Sequence, residues 1–184
     1  MRFAYADPPY LGCGASHYGK HHPDAAVWDD KATHLALVDR LVREYPDGWV
    51  LSCNPSDLSW LLPACPDDVR VGAWTKTWHQ IRPTTTQYAW EPVIWRGGRK
   101  DGKRSPMVRD WLACIPTQGM GLKGAKPEAF NRWVLDLLCW RPGDILDDLF
   151  PGTGGMARTV TTAGQELPLA STAWDAVSLL DDVS

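Results

Sequence analysis

The chain has 184 residues, 44% of them apolar and 22% charged, with a formal net charge of −3. Its length suits one domain with a real core, which excludes a disordered or fibrous chain. Its slight acidity excludes a surface that coats nucleic acid everywhere, so any such contact must be a local patch.

The elements follow in chain order. Residues 2–6 (RFAYA) read as a short strand that Asp7-Pro8-Pro9-Tyr10 ends abruptly, since proline donates nothing to a ladder. Residues 11–30 are Gly- and His-rich without periodicity and read as a long loop, a feature that is often functional. Residues 32–45 carry Leu35, Val38, Leu41 and Val42 at helical spacing, and Pro46-Asp47-Gly48 stops them. Residues 49–53 (WVLSC) read as a buried strand, and 56–62 as a short helix with Ser56 as its N-cap. Strands are expected at 69–77 and 88–95, joined by a polar Thr/Gln segment. Residues 97–126 read as loop. The clearest helix is 127–140, with Pro127 in its first turn and Phe130, Val134, Leu137 and Leu138 as its apolar stripe. A strand at 144–150, a glycine-rich turn and a helix at 156–163 come next, then a short strand at 167–170 and a helix at 174–180. Alternating strands and helices predict an α/β sandwich around a mostly parallel sheet.

The five cysteines, Cys13, Cys53, Cys65, Cys114 and Cys139, are odd in number and never at Cys-x-x-Cys spacing. That argues against a disulfide framework and for a reducing compartment. No apolar stretch reaches the ~20 residues of a membrane helix, and Asp7 breaks any early run that could serve as a signal peptide. The expectation is a cytoplasmic protein with no membrane contact. The 11 tryptophans are spread along the chain and read mainly as packing residues, with a few available for base stacking.

Two motifs carry chemistry. Asp7-Pro8-Pro9-Tyr10 places a carboxylate, a rigid turn and an aromatic ring at a strand end, where α/β sheets bind ligands. The carboxylate and the Pro8 carbonyl can each accept an N–H of an amine, and the Tyr10 ring can stack on a flat base. As a bare tetrapeptide it is equally a capped Pro-Pro turn. The second motif runs from Gly143 to Gly154. A strand delivers Asp148 and then a Gly-x-Gly turn, Phe150-Pro151-Gly152-Thr153-Gly154, that opens a helix. Glycines there let backbone approach a ligand closely. The turn lacks the third glycine of a dinucleotide fingerprint, having Ala157 there, and lacks the Gly-Lys-Ser/Thr of a phosphate loop. A nucleoside cofactor without a pyrophosphate fits it better.

With these motifs the chain resembles the amino-methyltransferases of DNA adenine with permuted motif order, and is similar to the mRNA-adenosine methylases. Asp148, Phe150, Gly152 and Gly154 fill the family's Asp-x-Phe-x-Gly-x-Gly cofactor pattern. Lys126-Pro127 matches the Lys-Pro before the cofactor strand, and Glu91-Pro92-Val93-Ile94-Trp95 resembles the family's glutamate-bearing strand. The likeness spans roughly residues 1–160. It implies a Rossmann-like S-adenosylmethionine-dependent methyltransferase fold, circularly permuted in motif order, as one domain over 1–184 with no separate target-recognition domain. It implies Asp7, Pro8, Pro9 and Tyr10 as the catalytic residues. Cofactor contacts fall to Asp7, Lys126, Asp148, Phe150, Gly152, Thr153 and Gly154, with S-adenosyl-L-methionine as cofactor and no metal. The substrate it implies is the N6 amine of adenine in DNA, flipped out of the duplex or already unpaired. Alternatives are RNA adenine, the N4 amine of cytosine in DNA, and a non-catalytic nucleic-acid-binding subunit that keeps the fold. The family's acidic ribose-binding residue has no clear counterpart: Ser171, Thr172 and Asp175 are the nearest. A homodimer or a partner subunit would serve target recognition, in a bacterial or phage-infected cell.

Three further features have competing readings. Arg96, Arg99, Lys100, Lys103, Arg104 and Arg109 form a basic run that either tracks phosphates or is a solvated loop. Cys13, His17, His21 and His22 lie near one another but without a standard zinc spacing. Lys76 and Trp78 follow a strand end and are candidates to line a target pocket.

Overall fold

A computed structural model of the chain describes residues 1–19, 23–78, 81, 83–100, 107–117 and 125–165. The strands are β1 (Arg2–Ala6), β2 (Gly48–Ser52), β3 (Arg70–Lys76), β4 (Trp90–Gly97), β5 (Trp111–Cys114) and β6 (Ile145–Asp148). The helices are α1 (Lys31–Glu44), α2 (Leu58–Leu61), α3 (Glu128–Leu137) and α4 (Gly155–Gln165). The strands form one sheet in the order β5-β3-β4-β2-β1-β6. The pairs β1–β2, β1–β6 and β3–β5 are parallel, and β4 runs antiparallel to both its neighbours, β2 and β3. The sheet is therefore mostly parallel, with one reversed strand inside it.

Beyond Arg2, the neighbouring strands β1 and β2 are buried on both faces, as a sheet covered on two sides requires. Along β1 the side chains alternate. Phe3 and Tyr5 pack with Phe130, Trp133, Val134 and Leu138 of the α3 segment. Ala4 and Ala6 pack with Leu37, Val38 and Leu41 of α1. The two clusters are the two interfaces of a three-layer sandwich, α3 and α4 on one face and α1 and α2 on the other. Trp49 and Phe130 are fully buried, one in each cluster.

Several boundaries differ from the sequence expectation. The inward face of α1 is His34, Leu37, Val38 and Leu41, while Leu35 is exposed. The helix turns this way because His34 finds a partner: its Nε2 lies 2.8 Å from the Trp28 carbonyl oxygen, between the Trp28 and Trp60 rings. Asp30 caps α1 by accepting from the Ala32 N–H. At the short helical segment after β2, Asn54 rather than Ser56 is the cap, and its side chain accepts from the Ser56 N–H. Pro127 is the N-cap of α3 rather than its first helical residue.

Two stretches read as loop contain regular structure. Strand β5 lies within 97–126. Within 11–30 lie a π-helical turn, Gly14–Tyr18, and a 3₁₀ helix, Pro23–Asp29. The Asp29 carboxylate accepts from the Gly14 and Ala15 N–H groups at 2.8 and 3.0 Å. Gly14 is required there, because a Cβ would sit 2.1 Å from the Ala25 carbonyl oxygen. The strand expected at 167–170 and the helix at 174–180 lie outside the described residues. Among the described residues no helix is long and apolar enough to cross a membrane.

Candidate active site

The parallel strands β1, β2, β3 and β6 all end at the same edge of the sheet. Because β4 is reversed, it begins there. One edge therefore collects Asp7 after β1, Ser52 at the end of β2, Lys76 at the end of β3, Glu91 near the start of β4 and Asp148 at the end of β6. Lys126, just before α3, reaches in above them.

Lys126 is the hub. Its Nζ stands 3.0 Å from Asp7 Oδ1 and 3.0 Å from Glu91 Oε2, with the side chain almost wholly buried. It also donates to Tyr10 Oη at 3.2 Å, and Tyr10 in turn donates to Glu91 Oε2 at 2.7 Å. Glu91 Oε1 is ion-paired with Lys76. Tyr5 and Ser52 share a buried hydrogen bond of 3.2 Å.

The electrostatics follow from how the cations are shared. Burial would raise Glu91, but the Lys126 and Lys76 ammoniums outweigh it and hold Glu91 down at about 2. Asp7 is displaced the other way. Burial raises it, and its share of Lys126 only partly offsets that, while nearby Glu91 adds to the rise. Burial would lower Lys126, but Asp7 and Glu91 keep it well above the ordinary lysine value. Burial also pushes Tyr10 up, so its phenol stays protonated.

Two cavities meet at this hub. The first, about 450 Å³, runs from Asp7 and Pro9 to the glycine-rich turn, and Asp148, Phe150, Gly152 and Thr153 line it. The second, about 500 Å³, is lined by Asp7, Pro8, Tyr10, Lys76, Trp90 and Glu91 among others. Asp7, Tyr18, Ala125 and Lys126 line both and so form the wall between them. The two motifs, remote in sequence, thus face one space because β1 and β6 are hydrogen-bonded neighbours, with Tyr5 beside Asp148.

The glycine turn keeps its shape through backbone conformation. Gly152 and Gly154 have φ of 45° and 73°, values that favour glycine. Gly154 does not line the first cavity; its N–H closes the turn onto the Pro151 carbonyl oxygen. The Asp148 side chain accepts from the Phe150 N–H at 3.2 Å. Burial lifts the Asp148 carboxyl, which is partly offset by that N–H. The Phe150 ring meets Trp28 edge-on, with centroids 4.9 Å apart.

The described residues of the basic run are not brought to this edge. Because β4 begins at the site, Arg96 near its end and Arg99 beyond it lie at the opposite edge. Arg96 pairs with Asp68 and Arg99 with Asp144. Lys100 follows at that far edge, and Lys103 and Arg104 lie outside the described residues. Arg109 stands over the Trp111 ring. Cys13 and His17 line the second cavity, and His21 and His22 lie outside the described residues. Among the described residues no group of three or more His, Cys, Asp or Glu is placed to hold a metal. Lys76 lines the second cavity and Trp78 does not. Glu91, noted in the sequence only as the glutamate of a family-like strand and not among the candidate site residues, is central to it. Ser171, Thr172 and Asp175 lie outside the described residues.

No protein-family model matches the chain, and no curated relative matches it by sequence. By structure it is similar to M1.HpyAVI solved in complex with SAM, at 17% identity and a TM-score of 0.56, covering 89% of this chain and 78% of that one. It is also similar to TTHA0409 of Thermus thermophilus, provisionally described as a DNA modification methylase. That likeness has 16% identity, a TM-score of 0.55, and coverage of 89% and 77%. The chain therefore shares the α/β fold of these two structures, with its Asp7-Pro8-Pro9-Tyr10 motif ahead of its glycine-rich motif.

Proposed function

We propose that this chain, as a single domain over 1–184, transfers a methyl group to the exocyclic N6 amine of adenine in DNA. The observation that carries the reading is the position of Asp7 in the wall between two cavities, one faced by the glycine-rich turn and the other by Tyr10, Trp90, Lys76 and Lys126. The first cavity fits a nucleoside cofactor. Its volume falls in the range of small-molecule sites, and it offers a half-buried carboxylate at Asp148, the Phe150 and Trp28 rings and the open backbone of Gly152. That M1.HpyAVI was solved with SAM supports S-adenosylmethionine as the occupant. When bound, it supplies a methyl group on a positively charged sulfur.

The chain's own residues supply position and charge. An adenine amine is a poor nucleophile, because its lone pair is delocalised into the ring. Asp7 accepts one amine N–H and the Pro8 carbonyl the other, which favours a tetrahedral nitrogen facing the first cavity. As the new N–C bond forms and the methyl's bond to sulfur breaks, its electron pair staying on sulfur as a neutral thioether, positive charge grows on nitrogen beside the Asp7 carboxylate, which stabilises it electrostatically. Asp7, whose proton affinity burial raises, then takes the proton that the methylated nitrogen loses. Tyr10, held by Glu91 and Lys126, presents its ring as a stacking surface.

Incubation of the protein with methyl-labelled S-adenosylmethionine and mixed DNA and RNA, followed by nucleoside mass spectrometry, tests this. N6-methyladenine in the DNA fraction is expected. N4-methylcytosine or label confined to RNA would overturn the substrate, and no transfer to any base would overturn the enzyme reading in favour of a binding subunit.

A further inference from the structure

Lys76 lines the second cavity and pairs with Glu91 rather than with Asp7, yet it sits on the charge that controls Asp7. Strand register explains how. Trp74 stands opposite Glu91, and the Lys76 N–H bonds the Ala89 carbonyl oxygen, so Lys76 and Glu91 are diagonal neighbours on one face of the β3–β4 pair. The Lys76 Nζ lies against Glu91 Oε1 and 5.3 Å from the centroid of the Trp74 ring. The other Glu91 oxygen is left to Lys126 and Tyr10. Two carboxylates, Asp7 and Glu91, thus share two ammoniums, and Lys126 spans the pair at 3.0 Å from each.

We infer that Lys76 is a positioning residue: by satisfying one side of Glu91 it lets Lys126 keep its contact with Asp7, and so sets the charge environment in which Asp7 meets the amine. This rests on the methyl-transfer reading of the site. Without Lys76, Glu91 relies on Lys126 and draws it away from Asp7. The Asp7 carboxylate then loses part of its counter-charge and holds its proton to higher pH. The other groups facing Asp7 are Ser52, the phenols of Tyr5, Tyr10 and Tyr18, which burial keeps protonated, and the Asp148 carboxylate across the first cavity. The carboxylate that Lys76 pairs with is Glu91.

The test reads Asp7 directly. In protein labelled with ¹³C-carboxyl aspartate, with Asp7 assigned through Asp7→Asn, the titration midpoint of Asp7 is followed by NMR in wild type, Lys76→Met, Lys76→Gln and Lys76→Arg. Both neutral variants are expected to raise the midpoint by roughly one pH unit or more, a part of the ~3 units that a full unit charge at ~4 Å supplies at effective ε ≈ 20, and Lys76→Arg to leave it in place. The acid limb of kcat/KM moves by the same amount. In a Glu91→Gln background, Lys76→Met is expected to shift Asp7 far less, because Lys126 no longer chooses between two carboxylates. An unmoved or lowered midpoint in the neutral variants, or an equal shift in both backgrounds, would overturn the inference. Failure of the enzyme reading looks different: wild type transfers no methyl, while the titration still reports on Lys76.

Discussion

The two edges of the sheet hold similar chemistry and do different things with it. At the edge away from the cavities, the buried Asp144 carboxylate accepts from Arg99 Nη2 at 2.7 and 2.8 Å, from the Arg141 N–H and from the Met1 nitrogen. These donors converge on one carboxylate, and together they hold it below the ordinary value against the effect of burial. At the cavity edge, Asp7 shares the Lys126 ammonium with Glu91 and sits above the ordinary value. A clustered charge is therefore not by itself a sign of a site. The mark of a site is a buried carboxylate left short of partners beside open space.

Breaking each aspartate in turn is the sharpest way to test that contrast. Asp7→Ala is expected to lower methyl transfer by on the order of 10²–10³-fold or more, read in a radiolabelled transfer assay, with far-UV circular dichroism unchanged. Asp144→Asn is expected to do the reverse. It should cost roughly 2–3 kcal/mol in urea unfolding, less than a fully interior pair because Arg99 still meets solvent, with turnover per folded molecule intact. Loss of transfer in the second variant, or its persistence in the first, would erase the distinction between the edges.

Gly152→Val probes the first cavity through its backbone. At φ 45° a branched side chain is strained, and affinity for S-adenosylmethionine by calorimetry should fall about tenfold or more, roughly 1.4 kcal/mol. Acid pH separates the two carboxylates of the hub. Asp7 is raised, so the acid limb of kcat/KM should lie above the ordinary aspartate value of 3.8, and any stability from its protonated form is lost as pH climbs through the raised value. Glu91 is depressed, so its stabilisation is present above 4.5 and lost as pH falls toward about 2. The smallest effect is expected at the far edge. Arg96→Ala removes an exposed ion pair and should leave both the urea midpoint and the salt dependence of DNA binding essentially unchanged; a reduced salt slope would give Arg96 a phosphate contact.

Local pattern explains what could be read early. RFAYA and WVLSC are apolar runs bounded by breakers, 127–140 carries a helical stripe, and the glycine turn announces itself by composition. Strand β5 escaped because WLAC is four residues in a basic, glycine-rich stretch and becomes a strand only by pairing with β3. His34 turned the inward face of α1 because two tryptophans from elsewhere in the chain enclose it. Glu91 and Lys76 were visible as residues but not as partners, since their pairing depends on the reversed direction of β4.

The amino-acid sequence alone was enough to specify the α/β alternation, the acidic Pro-Pro turn and the glycine-rich turn, because each is written in neighbouring residues whose spacing and φ preferences act locally. Which ends of which strands share an edge was decided only by the tertiary structure. Strand order and direction are set by non-local pairing and burial, and they alone bring Asp7, Glu91, Lys76 and Lys126 within reach of one another and send Arg96 and Arg99 to the far side.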